Sequence, residues 1–216
     1  MVIDGDSSDG TQAIVSSHGE RISRFLSEPD HGIYDAMNKG LALATGDVIG
    51  FLNADDAYAD EIVLRRVAET MERDHLDILF GDVEFFHPQN QGRTIRRYSS
   101  ARFRPDRIAW GWMPAHPALF VRREVFQQVG CFRTDYRIAG DFEFVARAFS
   151  KNSFRYYHLP QVLVRMRTGG VSTRGWRNTL MLNREVLRAC QENGIPTNML
   201  KILSKYPVKL LEYFYK

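Results

Sequence analysis

The chain has 216 residues and a formal net charge of +3; 44% of it is hydrophobic and 25% charged. Those values suit one globular domain with a short appendage and give no electrostatic reason to expect a nucleic-acid partner. Cys131 and Cys190 lie far apart without CxxC or Cys/His spacing, which argues against a disulfide scaffold or structural zinc and fits a reducing compartment.

The opening residues Met-Val-Ile-Asp-Gly-Asp show no basic stretch followed by an apolar run, so no signal peptide is expected. No apolar run approaches the ~18 residues of a spanning helix. Val2 and Ile3 read as the end of a buried strand, because residues 4–11 are turn formers and helix caps. A helix follows over 11–17 and a short strand over 24–26. Residues 33–45 set Ile33, Met37, Leu41 and Ala44 near one helical face. The apolar run 47–52 ends in Asn53-Ala54-Asp55-Asp56, which predicts a buried strand leading into a polar loop. A helix over 59–73 turns Ile62, Val63, Val67 and Met71 inward. Strands follow at 76–80 and 83–86, then a polar and basic loop or hairpin over 88–97. A strand at 118–121, a helix over 123–129 ending at Gly130, a helix over 141–150 and a strand at 154–158 come next. The last long helix covers 176–193, with Gly194 beyond its end. Strands alternating with helices over the first ~90 residues predict an α/β fold with a mostly parallel central sheet and helices on both faces. Ligands of such sheets collect at the C-terminal ends of strands, where the acidic clusters 4–9 and 53–56 both fall.

Asn53, Asp55 and Asp56 offer hard oxygen donors suited to Mg²⁺ or Mn²⁺, an ion that takes few protein ligands and completes its shell with phosphate and water. Taken alone, the tetrapeptide reads better as a solvated Asx turn or helix cap. The segment 4–11 is equally a common turn or a carboxylate site for a ribose or base. GxGxxG and GxxxxGK[ST] are both absent, so neither phosphate-cradling signature is present. Asp141, entering a helix in Ile138-Ala139-Gly140-Asp141-Phe142-Glu143, could act as a general base, although acids in first turns usually only complement the helix dipole. Trp112 and His116 lie in Trp112-Met113-Pro114-Ala115-His116-Pro117, a stretch able to form an acceptor platform; a lone histidine is more often structural.

Three segments stand in order: Val2-Ile3-Asp4-Gly5-Asp6-Ser7-Ser8-Asp9-Gly10-Thr11; Gly32-Ile33-Tyr34-Asp35-Ala36-Met37-Asn38-Lys39-Gly40 running on to Gly46-Asp47; and Phe51-Leu52-Asn53-Ala54-Asp55-Asp56. Together they resemble glycosyltransferase family 2 on a GT-A fold, with its Rossmann-like sheet, and especially its bacterial exopolysaccharide and colanic-acid type. His116-Pro117-Ala118-Leu119-Phe120-Val121-Arg122-Arg123 and the Asp141 segment extend the resemblance to about residue 175. The resemblance implies that Asp4 and Asp6 contact the nucleoside, and that Asp35, Asn38, Lys39 and Gly40 line the donor pocket near the diphosphate. It implies a DxD-type metal motif with Asn53 and Asp55 at its outer positions and Asp56 adjacent, holding Mg²⁺ or Mn²⁺. Asp141 matches the family's general base, with Glu143, His116 and Trp112 on the acceptor side. The implied reaction is metal-dependent transfer of a hexosyl group from a nucleotide-diphosphate sugar to a saccharide or lipid-linked acceptor, with inversion, in cell-surface polysaccharide synthesis.

Family members carry an opening strand and helix before the Asp-Gly strand. The resemblance therefore implies a GT-A domain over 1–175 that lacks them, with a helical extension over 176–216. The alternative from another class is a catalytically inactive remnant acting as a binding module. Residues 199–216 interleave apolar and aromatic side chains with Lys201, Lys205, Lys209 and Lys216, a pattern suited to an anionic membrane surface or to packing on the domain. The expected location is the cytoplasm, peripheral at the inner face of the plasma membrane.

Overall fold

The computed structural model describes residues 1–87, 90–151, 153–168 and 175–207. The first strand, β1 (Val2–Asp4), pairs in parallel with β2 (Phe25–Ser27), Val2 opposite Phe25 and Asp4 opposite Ser27. Between them α1 (Thr11–Ser17) buries no residue. Next comes α2 (Ile33–Leu43), which packs back on β1 so closely that a Cβ on Gly40 would lie 3.2 Å from Ile3 Cγ1.

The main sheet has six strands: β3 (Val48–Gly50), β4 (Ala57–Tyr58), β5 (Ile78–His87), β6 (Asn90–Tyr98), β7 (Leu119–Arg122) and β8 (Tyr156–Arg167). Its order is β3-β7-β5-β8-β4, with β6 also on β5. The α/β layering is the expected one, and β5 and β8 are parallel. β7, however, runs antiparallel to both β3 and β5, so the parallel set β3, β5 and β8 contains one reversed strand. One edge of β5 is shared, Ile78 to Phe80 bonding β7 and Val83 onward bonding β6.

Two strands expected at 76–80 and 83–86 are thus one strand, with an irregularity in its pairing to β8 between Phe80 and Val83. Asp82, 1% exposed, breaks the apolar pattern there and is held by Arg97 Nη2 at 2.6 Å, His158 Nε2 at 2.8 Å and Ser100 N at 2.8 Å. Burial alone would raise its carboxyl pKa, but these partners carry it below the ordinary value. A buried carboxylate is tolerated only when bonded in this way.

Alternating side chains of β5 serve two cores. Ile78 and Phe80 face α2 and a helical layer of α4 (Arg123–Val129), α5 (Gly140–Lys151) and α6 (Gly175–Glu192), meeting Met37, Phe126, Phe144 and Val186. Leu79 and Val83 face α3 (Val63–Arg73), meeting Val63, Val67 and Met71. The short α7 (Met199–Leu203) inserts fully buried Ile202 into the first core. The C-terminal helices therefore pack as part of the same body as the sheet.

Two inward residues differ from expectation. Ile33 is 49% exposed and Tyr34 is buried in its place. Gly32, at φ 118°, gives α2 an entry that other residues adopt only at a cost, and from it Tyr34, Met37 and Leu41 share the inner face. Ile62 lies before α3 rather than within it and is half exposed. Because Phe80 is fully buried, Phe80→Ala should lower the unfolding free energy by about 3–5 kcal/mol, whereas Leu64→Ala, on the exposed side of α3, should change it by less than about 0.5 kcal/mol. Urea unfolding of the two variants checks this.

Candidate active site

Asp141 stands in the first turn of α5. Its Oδ1 accepts the Phe142 N–H at 2.8 Å and lies 3.2 Å from the Tyr34 hydroxyl, whose shorter bond, 2.7 Å, goes to the Ile138 carbonyl. Burial first, and the Asp141 charge second, push the Tyr34 phenol well above its ordinary pKa, so it remains a proton donor. Gly140 makes the approach possible, since a Cβ there would come within 2.7 Å of the Tyr34 ring. The amides of Arg137, Ile138 and Ala139, which lead into α5, all donate to the carboxylate of Glu185.

An aromatic frame joins this turn to the end of β3. Phe51, just past β3, stacks on the His116 ring at 5.9 Å and meets Phe132 edge-on at 5.3 Å. Phe132 also packs on His116 at 5.7 Å, Tyr34 at 6.0 Å and Phe144 at 5.1 Å. Its backbone is fixed by Asn38, whose Nδ2 donates to Phe132 O at 2.8 Å while Oδ1 accepts Phe132 N–H at 2.9 Å. His116 thus packs between Phe51 at the end of β3 and Phe132.

The loop after β3 carries the acidic cluster. Asn53 Nδ2 donates to Asp56 Oδ2 at 3.1 Å and the Asn53 main-chain carbonyl accepts the Asp56 N–H at 3.1 Å, while Asp55 is exposed. Desolvation first, and the Asp55 charge as a lesser cause, raise the Asp56 carboxyl above its ordinary value. Among the described residues no three His, Cys, Asp or Glu side chains form a ready metal cage. Two carboxylates and an amide oxygen, one carboxylate partly desolvated beside a like charge, nevertheless fit a hard divalent ion that draws its remaining ligands from a diphosphate and water.

The first segment is tightly folded. Asp4 is buried, and its Oδ2 accepts the Ser7 N–H at 3.0 Å and the Ser27 hydroxyl at 2.7 Å, bonds that lower its pKa. Asp6, at φ 66°, accepts Gln12 Nε2 at 3.2 Å. Lys39 Nζ bonds Pro29 O at 2.7 Å and pairs with Glu28 at 3.0 Å and Asp35 at 3.7 Å, while Asp35 accepts the His31 N–H at 3.0 Å. Asp35 and Lys39 therefore lace α2 to residues 28–32. Gly40 is a packing contact on β1, and Asn38 belongs to the Phe132 frame.

Glu143, expected beside Asp141 on the acceptor side, is placed elsewhere. It is 1% exposed and is held by Arg147 Nε at 2.9 Å, with Arg147 in turn donating to the carbonyls of Val129 and Cys131. Positions i and i+2 on a helix point ~200° apart, so Asp141 and Glu143 face different sides of α5. Trp112 is half-buried. Tyr34 and Glu185 are the residues that sequence reasoning missed. Tyr34 shares the Met37 and Leu41 periodicity and was open to detection, whereas Glu185 is one charged residue among several on its helix.

The sequence pattern described as glycosyl transferase family 2 matches residues 1–156. A "PGL/p-HBAD biosynthesis glycosyltransferase" of Mycobacterium bovis BCG is 34% identical over 165 residues, 74% of this chain and 62% of that protein. "Glycosyltransferase AglE" of Haloferax volcanii is 29% identical over 153 residues, 68% of this chain and 50% of that one. The chain thus spans about half to three fifths of these relatives. Among solved structures, S. aureus TarS 1-349 in complex with UDP-GlcNAc superimposes with a TM-score of 0.64 at 17% identity, covering 87% of this chain and 56% of that one. The mannosyltransferase PcManGT from Pyrobaculum calidifontis, in complex with GDP-Man and Mn²⁺, gives 0.56 at 19% identity, covering 87% and 54%. Likeness at that level shows the fold, which is the GT-A arrangement.

The His116 environment generates a pH prediction. Desolvation holds its imidazole pKa below the ordinary value, the Asp141 charge acting the other way. The unfolded chain therefore takes up that proton first, near pH ~6.5. The stability tied to the neutral ring is complete above that pH and is lost as pH falls through the folded-state value. Between pH 7 and 5 the melting temperature of the wild type should fall more steeply than that of His116→Gln; parallel slopes would refute the assignment.

Proposed function

The chain belongs to glycosyl transferase family 2, and we propose that it moves a hexosyl group from a nucleotide-diphosphate sugar to a hydroxyl of a saccharide or lipid-linked acceptor, with inversion, in cell-surface polysaccharide synthesis. Asp141 is the general base. The observation that carries this reading is the Tyr34 hydroxyl of α2 at 3.2 Å from Asp141 in the first turn of α5, with the Tyr34 ring joined through Phe132 to His116 and to Phe51 at the end of β3.

In the proposed step the acceptor hydroxyl gives its proton to Asp141 as its oxygen forms a bond to the anomeric carbon. The bond from that carbon to the diphosphate breaks on the opposite face, and the nucleoside diphosphate leaves with the electron pair. One carboxylate base suffices, because a single in-line displacement needs no second nucleophilic carboxylate. Asn53, Asp55 and Asp56 would hold Mg²⁺ or Mn²⁺, which when bound neutralises charge on the departing diphosphate. The Tyr34 hydroxyl, 3.2 Å from Asp141 Oδ1, helps to orient the carboxylate. Asp4, Asp6, Asp35 and Lys39 form the donor-side wall in this reading, with Asn38 and Gly40 supporting it through Phe132 and Ile3.

A lipid-linked acceptor would bring the protein to a membrane surface. What supports that location is exposed apolar side chains with basic neighbours on the C-terminal helices: Trp176, 73% exposed, under Arg177, and Leu200, 81% exposed, next to Lys201 in the chain. No helix among the described residues is long and apolar enough to cross a membrane, and residues 208–216 of the expected amphipathic tail lie outside the described residues.

Titration with UDP, GDP and dTDP, each with and without Mn²⁺, should show metal-dependent binding of one nucleotide. Asp55→Ala should abolish that metal dependence. Asp141→Asn should lower turnover by about 10²–10⁴-fold while nucleotide affinity stays within about twofold. Normal turnover in Asp141→Asn would sink the base assignment, and a folded chain that binds no nucleotide would favour a binding module without activity.

A further inference from the structure

Glu185 lies near the middle of α6, outside the 1–156 segment that matches the family. Its carboxylate accepts three consecutive backbone N–H groups, from Arg137 at 2.8 Å, Ile138 at 2.9 Å and Ala139 at 2.7 Å. The helix they lead into starts there, since the Glu143 N–H donates to Ala139 O at 2.9 Å. Amides at a helix start have no partner inside the helix, and here a carboxylate from another helix takes them and sets negative charge at the positive end of α5. The same turn is held from the opposite side by Tyr34, which donates to the Ile138 carbonyl at 2.7 Å. Both backbone polar groups of Ile138 are thus gripped, by side chains of α6 and α2, three residues before Asp141.

Glu185 belongs to a stripe. Arg188 and Glu192 follow it at i+3 and i+7, on the same face of α6. Arg188 pairs with Asp135, and Glu192 accepts Arg133 Nη1 at 2.6 Å and the Tyr136 hydroxyl at 2.7 Å. One face of α6 therefore runs beside the chain from Arg133 to Ala139, the segment that joins Phe132 to Asp141. α5 is docked independently of this stripe, through buried Phe142, Phe144 and Val145 and through Arg147, which donates to the carbonyls of Val129 and Cys131. What Glu185 adds is a fixed turn ahead of Asp141.

We infer that Glu185 is a positioning residue for the transfer step, orienting the Asp141 carboxylate by holding residues 137–139. The inference rests on the reading of Asp141 as base. A base displaced by a fraction of an ångström loses rate without losing donor binding, because it touches the acceptor hydroxyl and not the nucleotide.

The test compares Glu185→Ala, Glu185→Gln and a control, Arg184→Ala, an exposed neighbour on α6, in the full chain. Readouts are kcat, the affinity for whichever of UDP, GDP or dTDP binds with Mn²⁺, and hydrogen exchange of the 137–139 amides. In Glu185→Ala those amides should exchange at least about tenfold faster and kcat should fall about tenfold or more, with nucleotide affinity within about twofold. Glu185→Gln keeps one acceptor oxygen and should recover part of the loss, which also covers the case of an alanine variant that fails to fold. Arg184→Ala should match the wild type. Unchanged exchange in Glu185→Ala, a kcat within twofold despite fast exchange, or a parallel fall of kcat and nucleotide affinity would each overturn the inference. Asp141→Asn separates the two readings. If it is inactive while Glu185→Ala is fully active, only the positioning role fails; if it is active, the base assignment fails and the positioning role with it.

Discussion

The ring of Phe132 is the contact on which the arrangement turns. It packs against Tyr34 from α2, Phe51 from the end of β3, His116 from the turn before β7, Phe126 from α4 and Phe144 from α5. Ring contacts of this kind are hydrophobic and only weakly directional, so alone they would allow the elements to slide. Asn38 removes that freedom, because its amide binds the Phe132 N–H and carbonyl together. A residue that resembles part of a donor pocket in sequence thus sets the depth at which the 131–134 loop sits against α2. The functional consequence is that α2, the loop after β3 and the start of α5 cannot shift independently.

Polar groups around that frame are satisfied in a consistent way, by side chains reaching across to another element's backbone. Tyr34 bonds the Ile138 carbonyl, Glu185 bonds three amides ahead of α5, Arg147 bonds the carbonyls of Val129 and Cys131, and Asp82 bonds the Ser100 amide. Segments without regular hydrogen-bonded structure need such partners, since an unpaired buried amide or carbonyl costs about 1–3 kcal/mol. The loops near the site are therefore held at their backbones while Asp55 stays exposed. The acidic loop after β3 is the exception. Its two carboxylates are adjacent in the chain, Asn53 donates to one of them, and desolvation, with the Asp55 charge as a lesser cause, pushes Asp56 towards its neutral form.

Much of the layering was legible in sequence because burial leaves a period. The helices α3, α4 and α6 fall within a few residues of the expected positions, and α2 keeps Met37 and Leu41 inward. The misses have local causes. Gly81-Asp82 looked like a break between two strands, yet a buried carboxylate with partners on β6, β8 and the following turn lets one strand continue through it. Ile33 looked buried by its apolar character, but the glycine-permitted entry to α2 rotated Tyr34 inward instead. The resemblance put Glu143 on the acceptor side near Asp141, whereas their two-residue spacing on α5 turns Glu143 to another face, where it is buried and held by Arg147.

The sequence by itself determined the element pattern, the acidic clusters at strand ends and the family, because local periodicity and ordered motifs are properties of the chain read along its length. It also singled out Asp141 as the candidate base, through the resemblance of its neighbours to a family motif. Only the tertiary structure decided that β7 runs reversed between β3 and β5, that Asn38 serves Phe132, and that α6 braces the turn before Asp141. Each of these depends on residues far apart in the chain, 47 positions between Ile138 and Glu185 and 94 between Asn38 and Phe132. A glutamate or asparagine carries no sign of its partner until folding brings the two together, since hydrogen bonds are short-ranged and no sequence period encodes them.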